Sequence, residues 1–140
     1  MTATDKVLTS LLRVFGVSAL FALGAVFMPL SWMAVIHRWL GLGEMPVAPI
    51  VEYLARSVSA LAVLLGAVCL VMASDLERYR PLVRFLSAAV ILMSVVFIGV
   101  DLAAGMPWWW TAFEGPPGIG LGVVLFFLAR PNDRKNVDRP

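Results

Sequence analysis

Four apolar runs divide the chain, and proline, glycine or charge separates each from the next. The first runs from about Val7 to Met28, and Pro29 ends it. Between Leu30 and Leu40, Trp32, Met33, Ile36 and Leu40 recur at helical spacing among Ser31, His37 and Arg38. That pattern predicts a short amphipathic helix over 30–40 lying on a membrane surface, with Gly41 and Gly43 as its stops. The stretch from Gly43 to Pro49 holds two prolines and one glycine and predicts a loop. A second span is expected over 49–73 and a third over 82–104, joined by a turn from Ser74 to Arg80 that Pro81 closes. Gly105-Met106-Pro107 ends the third run, and Gly115-Pro116-Pro117-Gly118 breaks the chain again. The fourth span is then 117–129, about 20 Å as a helix against a hydrocarbon core of about 30 Å. Either the Trp108 to Trp110 segment enters the bilayer or the membrane thins there. Residues 131–140 are polar with alternating charge and predict a flexible cytoplasmic tail.

This pattern predicts an all-α fold: a polytopic membrane four-helix bundle, with residues 1–130 as a single transmembrane domain. Composition agrees. Of the 140 residues 61% are hydrophobic and only 14% charged, too few to cover a soluble domain. The first run is longer than a usual signal core and no small-x-small cleavage site follows it, so an uncleaved span is expected.

Charge adds a direction. Nine of the eleven Lys and Arg residues fall at or near the start of the first run, around the junction of the second and third, or after the fourth. These are Lys6 and Arg13, then Arg78, Arg80 and Arg84, then Arg130, Arg134, Lys135 and Arg139. The other connections carry only Arg38 and Arg56. By the positive-inside rule both termini are cytoplasmic (N-in/C-in), and the 30–40 helix lies outside. The expected location is a bacterial-type cytoplasmic (inner) membrane, with membrane lipids as partners. No dense basic patch with interleaved aromatics points to nucleic acid.

Candidate chemistry gathers at the outer side. Arg56 lies 18 residues before Ser74, and Asp101 lies 17 residues after Arg84. At about 1.5 Å per residue both sit about 25–27 Å from the inner boundary, on neighbouring antiparallel helices. Glu52 is one turn from Arg56 on the same face. Trp108, Trp109 and Trp110 mark the outer interface, and Glu114 follows and can fold back over them. Glu52, Arg56, Asp101, Trp108, Trp109, Trp110 and Glu114 therefore form the candidate cluster. It is either an ion-pair lock between helix ends or the floor and lid of a pocket for a small amphipathic molecule or a proton. His37 is the one histidine and is read as polar surface, and Cys69 as a small apolar filler. No catalytic residue, metal site or cofactor is assigned. Gly118 and Gly122, Ala62 and Gly66, and Gly99 and Ala103 have the small-xxx-small spacing that lets helices pack closely in lipid.

Arg56 at the outer start of the second span, Asp101-Leu-Ala-Ala-Gly105-Met-Pro107 closing the third, and Glu114 after it resemble the small four-helix membrane proteins of the DoxX-like group. The resemblance covers scattered positions in 50–130. It implies a four-helix inner-membrane bundle and no particular reaction. The segment from Trp32 to Gly43 and the triple tryptophan depart from it. At the level of fold alone, Asp101, Glu114 and the tryptophans are also similar to the carboxylates and aromatics of EXPERA-type four-helix sterol isomerases and receptors.

Two functional expectations follow. The first is a non-enzymatic accessory or structural subunit of a membrane assembly, packed against copies of itself or a larger complex. The second is a binding protein or enzyme for a small hydrophobic or lipid-like ligand, using the outer cluster. P-loop, GxGxxG, HExxH and GxSxG motifs do not occur. A transport path is disfavoured, because between Leu86 and Val100 the third span offers only Ser87 and Ser94.

Overall fold

The computed structural model describes residues 2–130, so the expected tail over 131–140 lies outside the described residues. The chain is all-α: α1 (Ala3–Leu20), α2 (Ala22–Val26), α3 (Leu30–Trp39), α4 (Pro49–Ser74), α5 (Leu76–Ala104) and α6 (Trp108–Leu128). Four segments are long and apolar enough to cross a membrane: Ala3–Val26, Pro49–Ser74, Leu76–Ala104 and Trp108–Leu128. The protein is a multi-pass membrane protein on that ground. The described residues divide into two compact units, residues 10–73 and residues 2–9 with 74–130.

In the unit 10–73, a turn at Phe21 separates α1 from α2, and α2 ends at Phe27. Pro29 precedes α3 with φ −58° and ψ 140°. This extended conformation turns the chain, and a proline has no N–H to continue the α2 ladder. Gly41 stops α3 in a left-handed conformation, φ +73°. Its N–H donates to the Arg38 carbonyl, and the Leu42 N–H donates to that of His37. These bonds satisfy carbonyls that the helix end would otherwise orphan. The α1 and α4 helices meet at two glycines. A Cβ on Gly16 would stand 2.9 Å from the Gly66 carbonyl oxygen, and one on Gly66 would stand 2.8 Å from that of Gly16. Only hydrogen at both positions permits so close a backbone crossing.

In the other unit, Thr2 and Asp5 begin α1 as a reciprocal cap. The Asp5 N–H donates to Thr2 Oγ1 (3.2 Å) and the Thr2 N–H donates to Asp5 Oδ2 (2.8 Å). Asp5 Oδ1 also accepts from Arg80 Nη2 at 2.5 Å, joining the first turn of α1 to the start of α5. The turn into α5 is shorter than the expected 74–80. Asp75 alone caps the helix, its Oδ1 accepting the Arg78 N–H at 3.2 Å, and Pro81 lies within the helix. Pro81 is the sixth residue of the helix, past its first turn, and the helix runs on through it. Asp75→Ala is expected to lower stability by about 1 kcal/mol, measured by denaturant titration in detergent.

The fourth span corrects the expected 117–129. Helix α6 begins at Trp108 and runs unbroken through Pro116 and Pro117 to Leu128. At 21 residues it is about 32 Å long, enough to cross the core. The tryptophans form its first turn. Glycines explain how α5 and α6 approach. An added Cβ on Gly115 would meet Ile98 Cγ1 at 2.2 Å, on Gly118 Ser94 Oγ at 2.2 Å, and on Gly122 the Ser87 carbonyl oxygen at 2.9 Å.

Candidate functional site

The Glu52–Arg56 part of the cluster belongs to the unit 10–73. Glu52 lies in the first turn of α4, where an anion suits the helix dipole, and Arg56 is one turn later. Both Nε (3.0 Å) and Nη2 (2.8 Å) of Arg56 donate to Glu52 Oε1. The guanidinium also reaches across to the break between α2 and α3. Nη2 donates to the Met28 carbonyl at 3.1 Å, and Nη1 donates to that of Val26. Those carbonyls sit where α2 has ended and Pro29 supplies no donor. Arg56 therefore acts as a side-chain cap for a broken helix, with Glu52 holding its charge. Both side chains are half-buried, at 32% and 39% exposure.

Beyond α3, a loop is tied down in the same manner. His37 Nδ1 lies 3.0 Å from the Gly43 carbonyl oxygen, which can only accept, so this nitrogen carries the proton. Arg38 pairs with Glu44 at 3.0 Å, with both side chains well exposed. Screening makes such a pair worth little. His37 is thereby occupied as a strut. Among the described residues no three His, Cys, Asp or Glu side chains gather in a metal-holding group.

Asp101, the tryptophans and Glu114 belong to the other unit. On α5 the polar residues Ser87, Ser94 and Asp101 recur every seven positions, and all three are buried. Ser87 Oγ donates back to the Val83 carbonyl at 2.6 Å, which satisfies its own hydroxyl. Asp101 is only 6% exposed, and its Oδ2 is buried without a hydrogen-bond partner. Thr111 Oγ1 on α6 is in the same condition. The α5–α6 register relates the two. Ser94 opposes Gly118 and Ile98 opposes Gly115. One further step up α5 and back along α6 brings Asp101 level with Thr111. Two orphaned polar atoms thus share one level of a close helix pair. Each costs stability unless something accepts or donates there.

The aromatic turn does not close over this level as a lid of three rings. Trp108 is 82% exposed. Trp109 and Trp110 are half-buried and meet edge to face, with centroids 5.8 Å apart. Trp110 Nε1 donates to Glu114 Oε2 at 2.8 Å, one turn along the same helix. Glu114 folds back onto the tryptophans as the spacing suggests, yet it stays exposed.

The candidate residues thus form two constellations. One is Arg56 with Glu52 and two carbonyls, and the other is Asp101 at the level of Thr111, beside the Trp110–Glu114 bond. Sequence reasoning missed Thr111. Its signal is the small-residue face it shares with Gly115, Gly118 and Gly122. It also missed the carbonyls of Val26 and Met28, which no side-chain pattern announces. Comparison with family models, curated proteins and solved structures found no match.

Proposed function

We propose that this protein is a non-enzymatic accessory or structural subunit of a membrane assembly, with both termini on the cytoplasmic side of an inner membrane. A four-helix bundle of the DoxX-like kind is the architecture that the reading supposes. One observation carries it. The glycines at Gly16, Gly66, Gly115, Gly118 and Gly122 are each needed for contacts within the chain, whereas a Cβ on Gly24, Gly99 or Gly120 would meet nothing within 4 Å. A helical glycine costs about 1 kcal/mol relative to alanine. Gly99 and Gly120 lie exposed on the spanning helices α5 and α6. Close approach by a helix from outside the chain accounts for them.

Gly99→Leu and Gly120→Leu should leave the thermal midpoint of the purified protein unchanged while releasing it from its complex. Native mass spectrometry after mild extraction reads this directly. A wild-type protein that extracts as a lone monomer, with nothing captured by crosslinking, would refute the subunit role.

A second reading is a binding protein or enzyme for a small amphipathic molecule, and the orphaned Asp101 Oδ2 and Thr111 Oγ1 favour it. An occupant with a hydroxyl or cationic head would supply the missing partner. Asp101→Asn separates this reading from a structural lock. A site residue with no internal partner should tolerate the change with a loss under about 1 kcal/mol. Breaking a buried ion pair would instead cost about 3–5 kcal/mol. A loss of that size in chemical denaturation sinks the second reading.

A further inference from the structure

The end of the α5–α6 pair where α5 begins and α6 finishes carries cations that the subunit role does not use. Arg84 lies over the ring of Phe126, with its guanidinium carbon 5.0 Å from the centroid. Arg130 lies over the neighbouring ring of Phe127 at 4.3 Å. The two rings are 6.1 Å apart and nearly perpendicular. Each guanidinium therefore lies over one of two adjoining, mutually perpendicular rings.

Among the described residues, the acidic groups at this end are engaged elsewhere. Asp5 is taken by Arg80, the Asp75 side chain caps the Arg78 N–H, and Glu77 has an interaction of its own. Among the described residues neither Arg84 nor Arg130 has a carboxylate within ion-pair distance. The Nε of Arg84 is buried without a partner, so the base of its guanidinium is packed and the Nη groups remain as donors. Arg80 Nη1 donates to the Arg130 carbonyl at 3.4 Å, which anchors the backbone that presents Arg130.

We infer that Arg84 and Arg130 bind the phosphate of an anionic phospholipid. A planar guanidinium with one face against a ring presents its edge N–H groups outward, in the fork that matches phosphate oxygens. Seating each fork against a ring removes part of the ordering cost of binding. Exposed Phe85 and Leu82 lie along the same stretch of α5 and give acyl chains an apolar surface. That apolar flank selects a lipid over free phosphate. Arg84 is the ninth residue of α5, about 12 Å along it, a depth from which a long side chain reaches the headgroups. The inference rests on the membrane reading and is independent of the subunit role.

The test uses the full-length protein in a neutral detergent, titrated with short-chain phosphatidylglycerol, with phosphatidylcholine, or with inorganic phosphate. Thermal midpoint and native mass spectrometry are the readouts. Phosphatidylglycerol should raise the midpoint and remain bound, and the other two should do neither. Arg84→Gln and Arg130→Gln should each weaken phosphatidylglycerol binding about fivefold, and the double variant should lose the preference over phosphatidylcholine. Arg38→Gln, which touches only the exposed pair with Glu44, should bind as the wild type does. Should Arg84→Gln fail to fold, Arg130→Gln decides alone, because its side chain is exposed. Equal response to the two lipids, retained preference in the variants, or the same shift with inorganic phosphate overturns the inference. A monomer that keeps the lipid preference refutes the subunit role and leaves this site standing.

Discussion

Replacing Arg56 by alanine is expected to destabilise the protein by about 2–3 kcal/mol, short of the full range for breaking a buried pair on one side because both side chains are only half-buried. Three groups lose their partner at once. Glu52 keeps a carboxylate with no counter-charge, and the carbonyls of Val26 and Met28 lose their donor where α2 has already ended. In lipid no water replaces these bonds. Arg56→Lys should recover only part of the loss, because one ammonium cannot donate to Glu52 and to two carbonyls with the geometry of a guanidinium fork. Glu52→Gln should cost less, since its amide oxygen still accepts from Arg56. The order Arg56→Ala, then Arg56→Lys, then Glu52→Gln can be read from denaturant midpoints in one detergent. If Arg56→Ala loses less than 1 kcal/mol, the cap is not what holds the α2–α3 break.

The second large effect is expected at Gly66. A leucine there should push α1 from α4 and cost beyond the usual upper range of about 3 kcal/mol for overpacking. Even the first carbon would stand 2.8 Å from both Ala19 Cβ and the Gly16 carbonyl oxygen. Neither can yield by a rotamer change, because one is the stub of an alanine and the other is backbone. Gly115 differs. Its nearest obstacle is the flexible Ile98 side chain, so Gly115→Ala should be absorbed at smaller cost. Far-UV circular dichroism with thermal melts of Gly66→Ala, Gly66→Leu and Gly115→Ala reads that order. Equal midpoints for Gly66→Leu and the wild type would mean that the α1–α4 crossing is looser than its geometry.

Some of this architecture is legible in the sequence for identifiable reasons. Helix α4 is bounded by Pro49 and Ser74 because an unbroken apolar run joins a proline suited to a first turn to a polar end. Helices α3 and α5 stop at Gly41 and Gly105 because both adopt the left-handed conformation. The start of α6 is illegible for the opposite reason. Gly115-Pro116-Pro117-Gly118 carries breaker signals that hold in water, while an apolar helix packed through Gly115 and Gly122 continues through them. Pro81 misleads in the same way, since it lies inside α5, which Asp75 caps six residues earlier.

At the site, Glu52 and Arg56 are legible as a pair from their spacing of four. The rest of the Arg56 shell is not, because it is made of carbonyls exposed by a break at residues 27–29. Thr111 escaped because a threonine beside three tryptophans reads as interface filling. Only the α5–α6 register sets it level with Asp101.

Single-cysteine accessibility labelling tests the four membrane crossings most directly. In a Cys69→Ser background, cysteines placed at Gly43 and Met106 should react with a membrane-impermeant maleimide from outside intact cells. Cysteines at Asp75 and Arg130 should react only after permeabilisation. Labelling of Asp75 and Met106 from the same side would contradict these crossings, because α5 would then not cross.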